Sequence, residues 1–543
     1  MKRDLNLLSN NTFDVLIIGG GIYGSSLAWL ASVENLKVAL IEQNDFASGT
    51  SSNSQKIIHG GLRYLSKLDF KRVKESIKER KRLMWIAPHL VFPLPCIIPV
   101  YGHGINGKEI MRAGFKLYDF MSRNRNELPD EGKHIPESEI LSRDEIISLI
   151  PGLDEIDLTA GAKWYDGFCI NTERLIISFL KSAYERGAVL ANYVSAKSLL
   201  ISNDRIKGVE VTDKQDSANF SIIAKTVINC AGTNLYNLDF ASKSKKEIEK
   251  YPLIEGINLV TKRIFNHNFA VGIKAKEKDS RFYFVAPWRD KSIIGTEWFY
   301  YESGQDDFEI QKSKYESLLN NFNDVYRPAS LSLNDITFVH RGYVFGEKKA
   351  YSTLETLNDY KIYDSSIHGV EGLINVIGVK YTTAVDVAER VMARINPPYK
   401  RKEVLRQPKL VGGNIESLST FKLKMQDVFG LKIDPKEINR LVVTYGSESE
   451  KILHYTENYK LDSILKAEVL FCIRDEMAVS LSDVFLRRTG LGDSEKPTDH
   501  LINLVADFMA DELDWDTVRR GSEIEKLKKH YPEFVKKEEI LGS

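Results

Sequence analysis

The stretch FDVLIIGGGIYGSSLAWLA, from Phe13 to Ala31, constrains this 543-residue chain more than any other. An apolar β-branched run, Val15 to Ile18, leads into Gly19-Gly20-Gly21, and Gly24 completes a GxGxxG pattern of Gly19, Gly21 and Gly24. Leu27, Leu30 and Ala31 then fall on one helical face, and a second apolar run, Val38 to Ile41, ends at Glu42. Strand, tight turn, helix, strand and acid in that order open a Rossmann-like α/β unit. The glycines let backbone approach a pyrophosphate at the helix N-terminus, where free N–H groups and the helix dipole favour anions. Glu42 would accept hydrogen bonds from an adenosine ribose. The expected ligand is a dinucleotide.

The pattern alone does not separate FAD from NAD. Two later segments bear on the choice. TVINCAGTN, Thr226 to Asn234, is an apolar strand ending in Cys230-Ala231-Gly232. GLINVIGVKYTTAVDVAERV reads as a strand from Leu373 to Ile377, a turn at Gly378 and a helix opening near Thr382-Thr383, residues suited to a helix start. Such an N-terminus can stabilise negative charge on a reduced isoalloxazine. Each segment alone could be one more strand–helix unit. Their recurrence so far downstream points to one FAD domain assembled from discontinuous pieces.

Composition removes other classes. Lys+Arg and Asp+Glu both total 75, so no global charge recruits nucleic acid. Cys96, Cys169, Cys230 and Cys472 lie far apart and form no CxxC pair, which argues against a disulfide framework or a zinc site and fits a reducing, cytoplasmic compartment. The basic N-terminus runs directly into glycines without a cleavage pattern, so no secretory signal is expected. No stretch approaches the ~20 apolar residues of a spanning helix.

The segment DFASGTSSNSQKIIHGGLRYL closely resembles the region after the second strand in FAD-dependent glycerol-3-phosphate dehydrogenases and the related glycerophosphate oxidases. The resemblance continues, in order, through APHLVFPLP, WYDGFCINTERL, VINCAGTN, VAPWRDKSIIGT, GVKYTT and AEVLFCIRDEMAVSLSDVFLRRTGL. It implies an FAD domain interleaved with an antiparallel substrate-binding sheet over residues 1–406, the sheet lying mainly in 90–165 and 240–345. A helical C-terminal domain would span 407–543. The residues agree: RIKGVEVTD, FYFVAPW and SIIGTEWF alternate like strands. Past Pro408 and Gly412-Gly413, helical spacing takes over, with Ile464, Val469, Ile473, Met477 and Leu481, then Leu501, Leu504, Val505, Phe508 and Met509.

The implied reaction is oxidation of sn-glycerol 3-phosphate to dihydroxyacetone phosphate, with hydride passing to flavin N5. Removing hydride from a secondary alcohol requires an oriented C–H and a group to take the hydroxyl proton. His59 is the leading base candidate; the alternative is a histidine that only hydrogen-bonds cofactor or backbone. Gly60-Gly61 would let backbone pass the flavin ring, or simply form a turn. Arg63 offers a planar fork for an anion and Tyr64 a hydroxyl. By resemblance, Arg63, Arg341 in FVHRGYVF and Lys380 in GVKYTT surround the phosphate. Ser51, Ser52, Ala231, Gly232, Gly378, Lys380 and Thr382 join the glycines and Glu42 at the cofactor.

The chain departs from the family pattern at several pocket positions. Arg341-Gly342-Tyr343 stands for Arg-Pro-Leu, Val379 for a glycine, Glu297-Trp298 for Thr-Asp, and Asn258 for a histidine. Oxidation of another anionic 2-hydroxy acid or polyol phosphate therefore stays open, as does a flavin-binding protein without turnover. Quinone or another acceptor would reoxidise the flavin, and a homodimer is left open. A basic amphipathic helix from Asp69 to Trp85, followed by apolar HLVFPLPCIIPVYGHG, suggests peripheral docking on the inner face of a membrane. The plainer reading of that helix is a solvated face over the core.

Overall fold

The computed structural model describes residues 1–104, 107–237, 249–274, 282–301, 307–348, 354–532 and 534. The stretches 240–248, 275–281 and 302–306 of the expected substrate sheet, and the chain end past 534, lie outside the described residues.

Two sheets organise the chain. In the first, the strand order is Lys361–Asp364, Leu373–Ile377, Asn219–Asn229, Thr12–Ile18, Val38–Ile41 and Val189–Ala191. All neighbours from Leu373–Ile377 onward pair in parallel. The central strands thus come from three distant parts of the chain, as a discontinuous Rossmann-like domain requires. Thr12–Ile18 and Val38–Ile41 are near-continuous apolar runs because helices cover a parallel sheet. Ile22–Val33 packs between Thr172–Tyr184 and Ala384–Ile395, with Trp29 edge-on to Phe179 at 5.4 Å. The strand Arg205–Asp213 pairs with Asn219–Asn229, so this alternating segment extends the first sheet.

The second sheet has ten strands, from Leu354–Thr356 at one edge to Ile57–Ile58 at the other. Among the described residues its pairs are antiparallel, as expected, apart from Ala270–Lys274, which runs parallel beside Val91–Tyr101. Apolar residues cover both faces: one packs on C-terminal helices through Trp288, Phe338 and Phe485, the other on Phe308–Val325 through Leu318 and Phe322. The C-terminal part is helical, with Leu418–Phe429, Pro435–Tyr445, Ser449–Asn458, Ile464–Glu476, Asp499–Leu513 and Thr517–Lys528. The helical spacing through Met477 overruns the helix: Met477 is its cap, at φ 57°.

The expected membrane-facing helix forms, as Phe70–Ile86 with Asp69 as N-cap, but its second half, from Glu79 on, is largely interior. Arg82 is fully buried between Glu79 and Glu389, and Arg80 is buried against the Tyr118 hydroxyl and the Tyr165 carbonyl. Its basic character there serves internal ion pairing, because buried charge needs partners. The apolar run after it is the strand Val91–Tyr101, paired on both sides. The strand carries no exposed residue, and the helix keeps exposed residues in its first turns, at Phe70, Lys71 and Lys74.

Candidate active site

One cavity of about 1360 Å³ runs from the glycine turn to the second sheet. The turn is built for close approach. A Cβ on Gly19 would sit 2.5 Å from the Cys230 carbonyl oxygen, and one on Gly24 would sit 2.0 Å from the Gly19 carbonyl oxygen. Gly24 therefore serves helix–strand packing and is not part of the cavity wall. Gly21 is the N-cap of Ile22–Val33 and supplies no side-chain cap, which leaves that helix end to a ligand. Ser51 braces it by accepting from the Ile22 N–H at 3.1 Å. Glu42 accepts from the Gly20 and Asn44 N–H groups at 2.8 and 2.9 Å, one on each carboxyl oxygen. Burial raises its carboxyl, those hydrogen bonds work against the rise, and each oxygen keeps a lone pair for a ribose hydroxyl. Ala231, Gly232, Gly378, Lys380 and Thr382 line the same cavity. This turn, acid and set of walls fit FAD.

His59, Gly61, Arg63 and Tyr64 reach the cavity too. The short strand Ile57–Ile58 pairs antiparallel with Phe168 and Gly167, which sets His59 beside Asp166. The His59 Nδ1 lies 3.2 Å from Asp166 Oδ2, and Asp166 Oδ1 accepts from the Gly60 N–H at 2.7 Å. Burial opposes ionisation of Asp166, but His59, Arg80 and the Gly60 N–H outweigh it and hold the carboxyl below its usual range. A carboxylate on Nδ1 fixes the tautomer in which Nε2 is the free base. Sequence reasoning missed Asp166. Its signal was a single acid in the otherwise largely apolar strand Leu158–Cys169.

Arg63, Tyr64 and Lys380 form one cluster. Arg63 donates to the Tyr64 hydroxyl at 2.8 Å, and the Lys380 ammonium lies 4.7 Å from the centre of the Tyr64 ring. Burial alone would raise the Tyr64 phenol; the two cations reverse that and hold it below its usual value.

Besides Gly24, three expected residues are not brought to the cavity. Arg341 does not line the cavity: its guanidinium bonds to Glu255, a fully buried carboxylate that Lys314 also meets, and to the hydroxyl of Tyr343, which does line it. Gly256, Asn258 and Gly342 hold the cavity side instead. Gly60 points into Arg80 and Tyr118, where a Cβ would come within 2.3 Å of each. Ser52 turns back to the Gly49 carbonyl. Asn258, a further lining residue, accepts from the Thr296 hydroxyl at 2.7 Å.

A parallel-sheet dinucleotide cradle that opens onto a histidine–carboxylate pair and a cationic cluster defines a flavin-type oxidoreductase. Residues 14–352 match the family described as FAD dependent oxidoreductase, and residues 405–520 match the C-terminal domain of alpha-glycerophosphate oxidase. The chain belongs to the FAD-dependent oxidoreductase family, and FAD is its cofactor. It is 30% identical over 515 residues to glycerol-3-phosphate dehydrogenase of Synechocystis sp., spanning 90% of each chain. It is 29% identical over 535 residues to aerobic glycerol-3-phosphate dehydrogenase of Staphylococcus aureus, spanning 94% of this chain and 92% of that one. Its structure resembles that of the Bacillus halodurans glycerol-3-phosphate dehydrogenase complexed with FAD, with a TM-score of 0.75, 25% identity and coverage of 97% and 95%.

Proposed function

We propose that this enzyme oxidises sn-glycerol 3-phosphate to dihydroxyacetone phosphate. The observation that carries the reading is the placement of a His59–Asp166 pair and an Arg63–Tyr64–Lys380 cluster in one cavity with the flavin cradle. FAD, when bound, accepts the hydride. His59 Nε2 takes the proton of the substrate hydroxyl while Asp166 stabilises the resulting imidazolium. Arg63 and Lys380 hold the phosphate, and Tyr64 is the hydroxyl between them.

Anaerobic addition of glycerol 3-phosphate should bleach the flavin. Arg63→Ala and Lys380→Ala should each lose roughly 1.5–3 kcal/mol of substrate binding, about ten- to a hundredfold in kcat/KM, with FAD content intact. Arg341→Ala should leave KM near wild type, because its guanidinium serves Glu255. A steep KM rise in that variant would restore Arg341 to the clamp. Bleaching by a 2-hydroxy carboxylate but not by glycerol 3-phosphate would shift the reading to another anionic alcohol, a reading to which Asn258 and Gly342 in the wall lend support.

We further propose that the electron acceptor arrives from a lipid surface, with a membrane quinone as its class. Among the described residues no helix is long and apolar enough to cross a membrane. The helix Lys108–Met121 instead exposes Ile110, Leu117 and Phe120 beside exposed Leu68 and Phe70, and Ile110, Leu117 and Leu68 also line the cavity. Exposed Lys67, Lys71, Arg112, Lys116 and Arg123 surround this apolar patch, the complement of an anionic bilayer. A Phe70→Glu/Phe120→Glu double variant should bind anionic phospholipid vesicles about tenfold or more weakly, since each ring contributes ~1.5–3 kcal/mol on burial. Bleaching by substrate should be unchanged. Equal vesicle binding by both proteins would dismiss this surface.

A further inference from the structure

Tyr23 occupies the glycine turn itself, between Gly21 and Gly24, and the chemistry above makes no use of it. Its hydroxyl nonetheless reaches a segment more than 350 residues away in sequence. It accepts from the backbone N–H groups of Val379 and Lys380, both at 3.0 Å, and donates to the Lys380 carbonyl at 2.7 Å. A phenol has one donor and two acceptor positions, and all three are spent on this one turn. Burial pushes the phenol up to about 12, with the backbone N–H groups pulling the other way, so it is a neutral O–H that can both donate and accept. The ring is fixed as firmly as the hydroxyl. A Cβ on Gly378 would lie 2.0 Å from it, so only glycine lets the Gly378–Lys380 turn settle on the ring face.

The turn so fixed carries Lys380. This residue is the N-cap of the short helical turn Tyr381–Thr383 and makes no side-chain capping bond there. Its ammonium is instead directed over the Tyr64 ring. The direction of a side chain follows from the peptide that bears it, and here that peptide is hydrogen-bonded on both its N–H and C=O sides by one hydroxyl. We propose that Tyr23 is a positioning residue: it sets the Lys380 ammonium at the anion-binding end of the cavity. The inference rests on the reading of Lys380 as a phosphate ligand. It extends that reading by tying the anion end of the site to the same turn that holds the cofactor.

Tyr23→Phe keeps the ring against Gly378 and removes only the hydroxyl. The test is a double-mutant cycle on the FAD-loaded enzyme, comparing wild type, Y23F, K380A and Y23F/K380A. Two quantities are read: the steady-state kinetics with glycerol 3-phosphate, and the dissociation constant of inorganic phosphate from the perturbation of flavin absorbance. In the Lys380 background, Y23F should raise KM and weaken phosphate about five- to tenfold, the scale of one lost hydrogen-bonding group. The change in kcat should stay under about twofold, because hydride and proton transfer do not pass through this hydroxyl. In the K380A background, Y23F should have no further effect on phosphate, because a residue acting only through another is silent once that other is gone.

Equal losses in both backgrounds, or no loss in either, would overturn the proposal. So would a Y23F protein that purifies without flavin, which would assign the hydroxyl to cofactor retention. An enzyme that ignores glycerol 3-phosphate yet shows the phosphate coupling would leave Tyr23 in its role and overturn the substrate reading alone.

Discussion

Replacing His59 by alanine is expected to lower kcat about 100- to 10,000-fold while FAD stays bound, the range for removal of a positioned general base. The cofactor cradle of Gly19, Gly21, Ser51 and Glu42 does not involve the imidazole, so flavin content should not change. Asp166→Asn is the more informative variant. Asp166 Oδ1 already accepts from the Gly60 N–H, so an asparagine would keep its oxygen there and turn its NH₂ toward His59 Nδ1. Nδ1 would then have to accept, the proton would move to Nε2, and the base would be blocked with its geometry intact. Asp166→Asn should therefore approach His59→Ala in kcat, and the two together should cost little more than either alone. Full activity in Asp166→Asn would mean that another group takes the proton. Tyr64, whose phenol the neighbouring cations hold below its usual value, would be the next to test.

The parts of this site that were legible in sequence are those set by local spacing. Gly19, Gly21, Gly24 and Glu42 lie within one strand–helix–strand unit, and the run from His59 to Tyr64 is continuous in the chain. The Leu373–Ile377 strand and the Gly378 turn were also readable, because strand and turn are neighbours. What could not be read depends on register and on burial. Asp166 meets His59 only because Ile57–Ile58 aligns with residues 167–168 more than a hundred positions later. Arg341 is drawn off by a partner far away in the chain: its guanidinium is taken up by buried Glu255 and by the Tyr343 hydroxyl, while Gly342 and Tyr343 line the cavity. The helix Phe70–Ile86 reads as basic and amphipathic either way. Whether Arg80 and Arg82 meet lipid or Tyr165, Glu79 and Glu389 is decided by elements elsewhere in the chain. An apolar surface near the cavity does exist, on Lys108–Met121, a helix the sequence reading did not single out.

Loss of the Asp45 carboxylate is expected to damage both stability and cofactor retention. Asp45 is buried on the loop that follows Val38–Ile41 and leads, through the Ala47 N–H on the Gly20 carbonyl, to Ser51 at the cofactor helix. Its oxygens accept from Arg487 Nε at 2.6 Å, from both Arg488 Nη atoms at 2.8 Å and from Asn192 at 3.0 Å. Both arginines come from Val484–Arg488, a π-helical turn in the C-terminal part, and Arg488 also donates to the Glu476 carbonyl. One carboxylate thus holds the cofactor loop to the C-terminal helices. Asp45→Ala would leave two buried guanidinium groups short of a counter-charge, a loss on the order of 3–5 kcal/mol. The urea midpoint should fall, and FAD should dissociate at lower urea than the helices unfold, because the loop is the part released first. Acid should reproduce the effect in wild type. Burial works against the Asp45 charge, but Arg488 and Arg487 outweigh it and hold the carboxyl down to about 2. A carboxyl depressed by folding contributes stability above its unfolded value near ~4 and loses it as pH falls toward the folded one. Wild-type FAD retention should therefore decline over that window, and Asp45→Asn, with no charge to titrate, should start lower and decline less steeply. An Asp45→Ala protein with wild-type urea midpoint and FAD affinity would mean that the arginines are satisfied by Asp483 and Glu476 alone, and that the C-terminal helices do not hold the cofactor loop.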